Sequence, residues 1–209
     1  MKKIVVFYGG KGSGKDTCFE ILEKLCFFRK GKNIQKVFFA DYLKEVVWSL
    51  FKTKIVDKER IWGSIERKEE PIDGWEIGDL IHDTCDFKEI YWTGRRLLQW
   101  FGTDVCRYVH DNVWVDSFAQ TIDSKAPITD VFGVTDCRFK NEYDMLVSLK
   151  DRYDVLFIHV KRHSDDNEFS GHASERDMKD FGCDIELDNT GSLENLKHQI
   201  EQIYNNHLV

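Results

Sequence analysis

The chain has 209 residues, 42% hydrophobic and 13% aromatic, enough for one sizeable core and in keeping with a single α/β domain that carries an insertion. Its 30 basic and 37 acidic residues give a formal charge of −7, which disfavours nonspecific binding to nucleic acid or to a membrane surface. The six cysteines form no CxxC pair, and no apolar run approaches the roughly 20 residues of a membrane helix, so reduced thiols in a cytoplasm are expected rather than a zinc site, a disulfide frame or a membrane span.

The apolar run Ile4 to Tyr8 predicts a buried strand, and Thr17 to Arg29 an amphipathic helix. Between them lies Gly9-Gly10-Lys11-Gly12-Ser13-Gly14-Lys15-Asp16-Thr17, whose spacing suits a phosphate-binding loop. Residues Gly10 to Thr17 would cradle the phosphates of a nucleoside triphosphate with backbone N–H groups, Lys15 would reach the β- and γ-phosphates, and the helix would add its positive dipole end. Asp16 stands where most such loops place a Ser or Thr hydroxyl on Mg²⁺, and Thr17 follows. That order resembles nucleoside monophosphate kinases, in which Mg²⁺ is held largely through nucleotide and water, and it argues against a Ras-like switch GTPase.

Gln35 to Ala40 reads as a second strand and Tyr42 to Phe51 as a helix, so the βαβ alternation predicts a parallel sheet. The pattern is lost over about 53–92 among polar residues with Pro71, Gly74 and Gly78, which reads as an insertion rather than core. Helical spacing resumes at Leu97, Leu98, Phe101, Val105 and Val109, followed by a helix over Asn112 to Ile122 that stops before Pro127. Strands are expected at Ile128–Thr135 and Val155–Val160 around a helix from Lys140 to Lys150. A polar lid over about 161–176, a strand at Asp184–Asp188 and a helix from Ser192 to about Tyr204 complete the chain.

Ligands of such sheets bind beyond the strand C-termini, where Asp41, Asp136 and Arg162 each follow a predicted strand end. Asp136 suits Mg²⁺, directly or through water, or else an N-cap for the helix that follows. Arg138 suits a phosphate clamp in the transfer site, or a pair with Glu142 one turn on. The segment Thr93 to Arg107 combines arginines, Gln99 and aromatics, the materials of a nucleotide acceptor site: Arg95 and Arg107 for a phosphate, Gln99 for a base edge, Trp100 for stacking. Leu97, Leu98 and Phe101 read instead as helix core.

The motifs Gly12–Thr17, Phe39–Lys44, Gly94–Asp104, Arg107 with Trp114, Asp136–Glu142, His172–Glu175 and Asn189–Leu193 together resemble the bacteriophage deoxynucleoside monophosphate kinases of the T-even type and their relatives. The resemblance covers most of the chain. It implies a phosphate-binding-loop α/β kinase fold and transfer of the ATP γ-phosphate to a deoxynucleoside monophosphate, with ATP and Mg²⁺ as cofactors. It also implies that Lys15 and Thr17 hold ATP phosphates, that Asn189 and Gly191 meet adenine, and that Asp41 and Lys44 border the acceptor held by Arg95, Gln99 and Arg107. Arg138 would sit near the transferring group, and His172, Ser174, Glu175 and Arg176 would belong to the lid. Arg162 and Arg176 would supply charge on closure, with no general base needed because a phosphate dianion is already the nucleophile. The expected partners are small-molecule nucleotides, with neither nucleic acid nor membrane, in a cytoplasm (the host's for a viral protein). A homodimer stays open. So do two alternatives: a kinase for another phosphorylated metabolite of the dephospho-coenzyme A or phosphomevalonate type, and a nucleotide-binding module without phosphotransfer.

Overall fold

The computed structural model describes residues 1–76, 91–162 and 178–209. The chain divides into two compact units, one of residues 1–39 with 115–209 and the other of residues 40–114. The second unit begins and ends outside the insertion bounds read from the sequence.

The first unit is built on a five-stranded sheet in the order β2-β5-β1-β6-β7: Ile34–Val37, Val131–Val134, Lys3–Tyr8, Asp154–Lys161 and Ile185–Asp188. Every neighbouring pair is parallel, as the βαβ alternation predicts. β1 is central and apolar on both faces because both are covered. Ile4, Val6 and Tyr8 pack with Phe118 and Ile122 of α6 (Val113–Lys125) and Leu146 of α7 (Lys140–Ser148). The alternate residues Val5 and Phe7 pack with Phe19 and Leu22 of α1 (Lys15–Lys30) and Ile200 of the last helix, α8 (Leu193–His207).

On the α1 side, Gly133 of β5 lies so close to the buried ring of Phe19 that an added Cβ would stand 2.1 Å from Phe19 Cε2. Gly133→Ala is therefore expected to cost about 1–3 kcal/mol by overpacking. A thermal melt would register it as a lower Tm, and an unchanged Tm would show that Phe19 can move aside.

Several strand and helix bounds differ from the sequence reading. β2 ends at Val37, and Phe39–Ala40 form a turn, so the apolar stretch to Ala40 does not all belong to the strand. Ile128 lies in a 3-10 turn with Pro127, and β5 starts at Val131. Cys18, Cys26 and Cys137 are buried free thiols; burial pushes Cys18 up to about 12 and Cys26 up to about 11, which keeps both protonated and unreactive. Cys85 lies outside the described residues. No helix among the described residues is long and apolar enough to cross a membrane.

The second unit contains α2 (Asp41–Ile55), two short helices at Glu59–Trp62 and Ile65–Glu69 (α3, α4), and an antiparallel pair, β3 (Pro71–Glu76) with β4 (Tyr91–Thr93). It has a core of its own in which Leu43, Val47, Ile55, Ile61, Ile72 and Leu97 are buried. The stretch read as pattern-free thus supplies three core isoleucines: Ile55 at the very end of α2, and Ile61 and Ile72 on elements too short to show a period. The α5 helix (Gly94–Gln99) runs into a π-helix at Trp100–Arg107 rather than continuing as α. Gly102 lies within that wider turn: its backbone sits against Leu43, where a Cβ would meet Leu43 Cδ2 at 2.6 Å, and its carbonyl accepts Trp114 Nε1–H at 2.9 Å. Val109, expected on the apolar face, is exposed.

Candidate functional site

In the first unit the chain leaves β1 at Tyr8 and wraps through the glycine-rich loop into α1. Gly9, Gly12 and Gly14 have φ of 146°, 77° and 97°, the region L side chains avoid. Gly14 is constrained twice, since a Cβ there would also stand 2.3 Å from Asn189 Nδ2. The Asn189 amide donates to Ser13 O at 2.7 Å, tying the segment after β7 to the loop. Lys15 Nζ curls over the loop's own carbonyls, donating to Gly9 O at 2.9 Å and Gly10 O at 2.7 Å. The ammonium is thus already centred on the wrap whose N–H groups suit phosphate oxygens. Arg162, directly after β6, donates from Nη1 to Gly12 O at 3.0 Å, bringing a second cation to the same loop.

A cleft of about 530 Å³ opens beside this loop, lined by Gly14, Thr17, Arg162, Asn189, Gly191 and Leu193 among others. Leu193 and Leu196 contribute apolar lining, and Thr17, Arg162 and Asn189 contribute polar groups, a mixture that suits a small ligand with both kinds of surface. The cleft and the loop beside it thus hold Lys15, Thr17, Asn189 and Gly191, which the resemblance assigns to ATP, together with Arg162, which the sequence reading assigned to charge on lid closure. Lys11 is exposed on the loop's outer turn.

Asp136 and Arg138 follow β5. Asp136 does not cap α7: its Oδ1 accepts the Phe39 backbone N–H at 3.1 Å. Buried Glu142 does the capping, its Oε2 accepting the N–H groups of Arg138 at 2.8 Å and Phe139 at 3.1 Å. Glu142 thus meets Arg138 at the backbone, and the Arg138 residue is exposed. No group of three or more metal-capable side chains occurs among the described residues. A single carboxylate of this kind fits an ion such as Mg²⁺ that keeps most of its water and binds phosphate oxygens, and does not fit an all-protein cage.

Sequence reasoning missed the network around Asp16. Its carboxylate Oδ1 accepts from Thr135 Oγ1 at 2.9 Å and from Lys36 Nζ at 2.5 Å. Desolvation raises the Asp16 carboxyl, but the bonds and charge of Lys36, with Thr135 and Lys15, outweigh it and hold the group below its usual value. A lysine within strand β2 was the available signal.

In the second unit, Thr93 caps α5 by accepting Arg96 N–H at 3.2 Å, which fixes the start of the arginine-bearing segment. Arg95 pairs through Nε with Glu69 at 2.5 Å. Arg107, its side chain nearly buried, donates to Asp111 O at 3.1 Å and lies 3.8 Å from the Asp111 carboxylate. Lys44 stands 3.9 Å from Asp41, one turn away on α2. Gln99 is exposed, while the Trp100 ring packs against Trp92 at 5.4 Å and Phe101 at 6.2 Å, so part of it serves the core. Glu69 is a partner that sequence spacing did not suggest, whereas Asp111 stands at i,i+4 from Arg107, a spacing at which helix ion pairs form. The lid residues His172, Ser174, Glu175 and Arg176 lie outside the described residues, as does all of the expected lid beyond Arg162.

A family model described as deoxynucleotide monophosphate kinase matches residues 33–200. That span begins after the phosphate-binding loop, whose reading rests on its own geometry. A viral protein of Acanthamoeba polyphaga mimivirus, described as "Putative deoxynucleotide monophosphate kinase", is 30% identical, with 94% of this chain and 93% of that protein covered. Among solved structures, an unliganded sugar kinase from Janibacter sp. HTCC2649 aligns over 98% of this chain and 94% of that one, with 17% identity and a TM-score of 0.43.

Proposed function

The chain belongs to the deoxynucleotide monophosphate kinase family, and on that premise we propose that it transfers the γ-phosphate of ATP to a deoxynucleoside 5′-monophosphate, giving a deoxynucleoside diphosphate and ADP. The observation that carries the reading is the position of Lys15 Nζ over the glycine-rich wrap, 2.9 Å from Gly9 O and 2.7 Å from Gly10 O. On this reading incoming phosphate oxygens replace those carbonyls as partners of the ammonium. Residues Gly10 to Thr17 hold the phosphates, Asn189 and Gly191 border the adenine, and Arg162 adds charge beside Gly12.

Asp136 is the carboxylate assigned to Mg²⁺, through water or directly, and the ion would supply charge neutralisation between the β- and γ-phosphates. Arg95 and Arg107 are assigned to the acceptor phosphate, Gln99 and Trp100 to its base, with Asp41 and Lys44 at the border. An acceptor phosphate would have to compete with Glu69 for Arg95 and with Asp111 for Arg107. The acceptor oxygen attacks the γ-phosphorus in line, the bond to the β-phosphate oxygen breaks, and ADP leaves with the bonding pair. Arg138 is assigned to the transferring group. The organisation proposed is a single kinase domain with an acceptor-binding insertion and a lid carrying His172, Ser174, Glu175 and Arg176, acting on small nucleotides in a cytoplasm. Kinship to T-even phage enzymes is the finer affiliation of this reading.

A coupled assay for ADP release, run with ATP, Mg²⁺ and each common deoxynucleoside monophosphate, tests the proposal against ribonucleotides, dephospho-coenzyme A and phosphomevalonate. Turnover with a deoxynucleoside monophosphate supports it. Turnover with only one of the other metabolites would replace the acceptor while keeping the chemistry.

A further inference from the structure

Asp16 occupies the position after the loop lysine where a hydroxyl would commonly meet Mg²⁺, yet its carboxylate is engaged elsewhere in the first unit. Both bonds to Asp16 Oδ1 come from the sheet: Lys36 Nζ from β2 and Thr135 Oγ1 from the residue that follows β5. These strands are paired, Val37 lying opposite Val134. Lys36 is itself steadied, its ammonium 5.1 Å from the centre of the Phe19 ring and 5.0 Å from that of Phe38. Thr135 is buried and covalently precedes Asp136, whose carboxylate takes the Phe39 N–H three residues after Lys36.

The contacts close a ring: Asp16 to Thr135, along the chain to Asp136, across to Phe39, back through the chain to Lys36, and from Lys36 to Asp16 again. An aspartate carries its oxygens one bond further from the backbone than serine does, which suits a bridge to the next strand rather than a ligand at the loop.

We propose that Asp16 is a positioning residue, whose bridge to Thr135 and Lys36 sets the Asp136 carboxylate against the phosphate-binding loop before nucleotide binds. The inference rests on the kinase reading above and adds the device that registers its metal-side acid with its phosphate-side lysine. In that role the Asp16 side chain acts through Asp136 and touches neither substrate nor metal, while its backbone N–H stays part of the phosphate-binding wrap. A displacement of an aligned group by about 1 Å can cost on the order of a hundredfold in rate, so a small slip of Asp136 is enough to matter.

The test compares the wild type with Asp16→Ala, Asp16→Asn, Thr135→Val and the double variant Asp16→Ala/Thr135→Val. Steady-state kinetics give kcat, KM for ATP and the Mg²⁺ concentration at half-maximal rate, and calorimetry gives ADP affinity with and without Mg²⁺. Each bridge-breaking single variant should lower kcat about tenfold to a hundredfold, raise the half-saturating Mg²⁺ several-fold, and abolish any tightening of ADP binding by Mg²⁺ seen in the wild type. Metal-free ADP affinity should stay within about twofold, since Lys15 and the loop backbone are untouched. The double variant should be no worse than the weaker single, and Asp16→Asn, which can still accept from Thr135, should recover part of the loss.

Unchanged kcat and Mg²⁺ response with only a lower Tm would overturn the proposal and leave a structural brace, as would single effects that multiply in the double variant. If the wild type turned over no monophosphate at all, the kinase reading would have failed by itself. The calorimetric comparison would then decide the positioning role: loss of Mg²⁺-linked ADP binding in the variants sustains it, and a Mg²⁺ effect that is absent from the wild type or equal in all proteins rejects it.

Discussion

Lys15→Ala is expected to lower phosphotransfer by about a hundredfold to a thousandfold in kcat while the protein stays folded. The loss expected for one such preorganised contact to developing charge is roughly 2.7–4 kcal/mol of transition-state stabilisation. The loop would survive because its wrap comes from glycine φ values, the Asn189 bond to Ser13 O and the start of α1, none of which uses the ammonium. The bonds from Nζ to Gly9 O, Gly10 O and Ser13 Oγ disappear. Circular dichroism with a thermal melt would confirm the fold, and Lys15→Met would repeat the test with the aliphatic stem retained. Near-wild-type turnover in either folded variant would remove the phosphate-loop assignment.

The arginines of the second unit offer the next largest effect, with a sharper alternative. Arg95→Ala or Arg107→Ala should raise KM for the monophosphate about tenfold or more and leave KM for ATP nearly unchanged, because a charged hydrogen bond contributes about 1.5–3 kcal/mol. Arg138→Ala should instead depress kcat, since a contact to the transferring group matters most in the transition state. The alternative is concrete: Arg95 is paired with Glu69 and Arg107 with Asp111, so each is also a candidate structural ion pair. Substituting the partners separates the two roles. Glu69→Gln frees Arg95 and should hold or lower KM for the monophosphate, whereas a structural pair would show only a lower Tm. If all three arginine variants keep wild-type acceptor kinetics, the acceptor site lies elsewhere.

The sequence carried its local signals well. The run Ile4 to Tyr8 is buried on alternate faces because both sides of β1 are covered, and the loop that follows has the backbone its glycines require. Asn189 and Gly191 line a cleft together with Gly14 and Thr17 of the loop, a meeting of distant segments that the motif spacing alone does not show. What spacing could not convey was the identity of partners distant in the chain. Asp16 and Thr135 are 119 positions apart, and no periodicity links them. The choice of Glu142 over Asp136 as the cap of α7 depended on where the Phe39 N–H arrives from the turn after β2. The π-helix at Trp100–Arg107 was equally hidden, because apolar residues at 97, 98, 101 and 105 satisfy an α-helical face as well.

Isolated short elements account for the remaining difference. Ile55, Ile61 and Ile72 are fully or almost fully buried, but they stand on the end of one helix, a four-residue helix and a short strand. Periodicity needs a window of 11 or so residues to emerge, and none of the short elements provides one.

The central claim is tested most directly by following the label from ATP carrying ³²P in the γ-phosphate, with Mg²⁺ and a deoxynucleoside monophosphate, and separating the products chromatographically. The account predicts that label appears in the deoxynucleoside diphosphate in step with ADP, and that Lys15→Ala slows both by about a hundredfold to a thousandfold. ADP formed with label only in inorganic phosphate, or no ADP above background with any monophosphate, would contradict it.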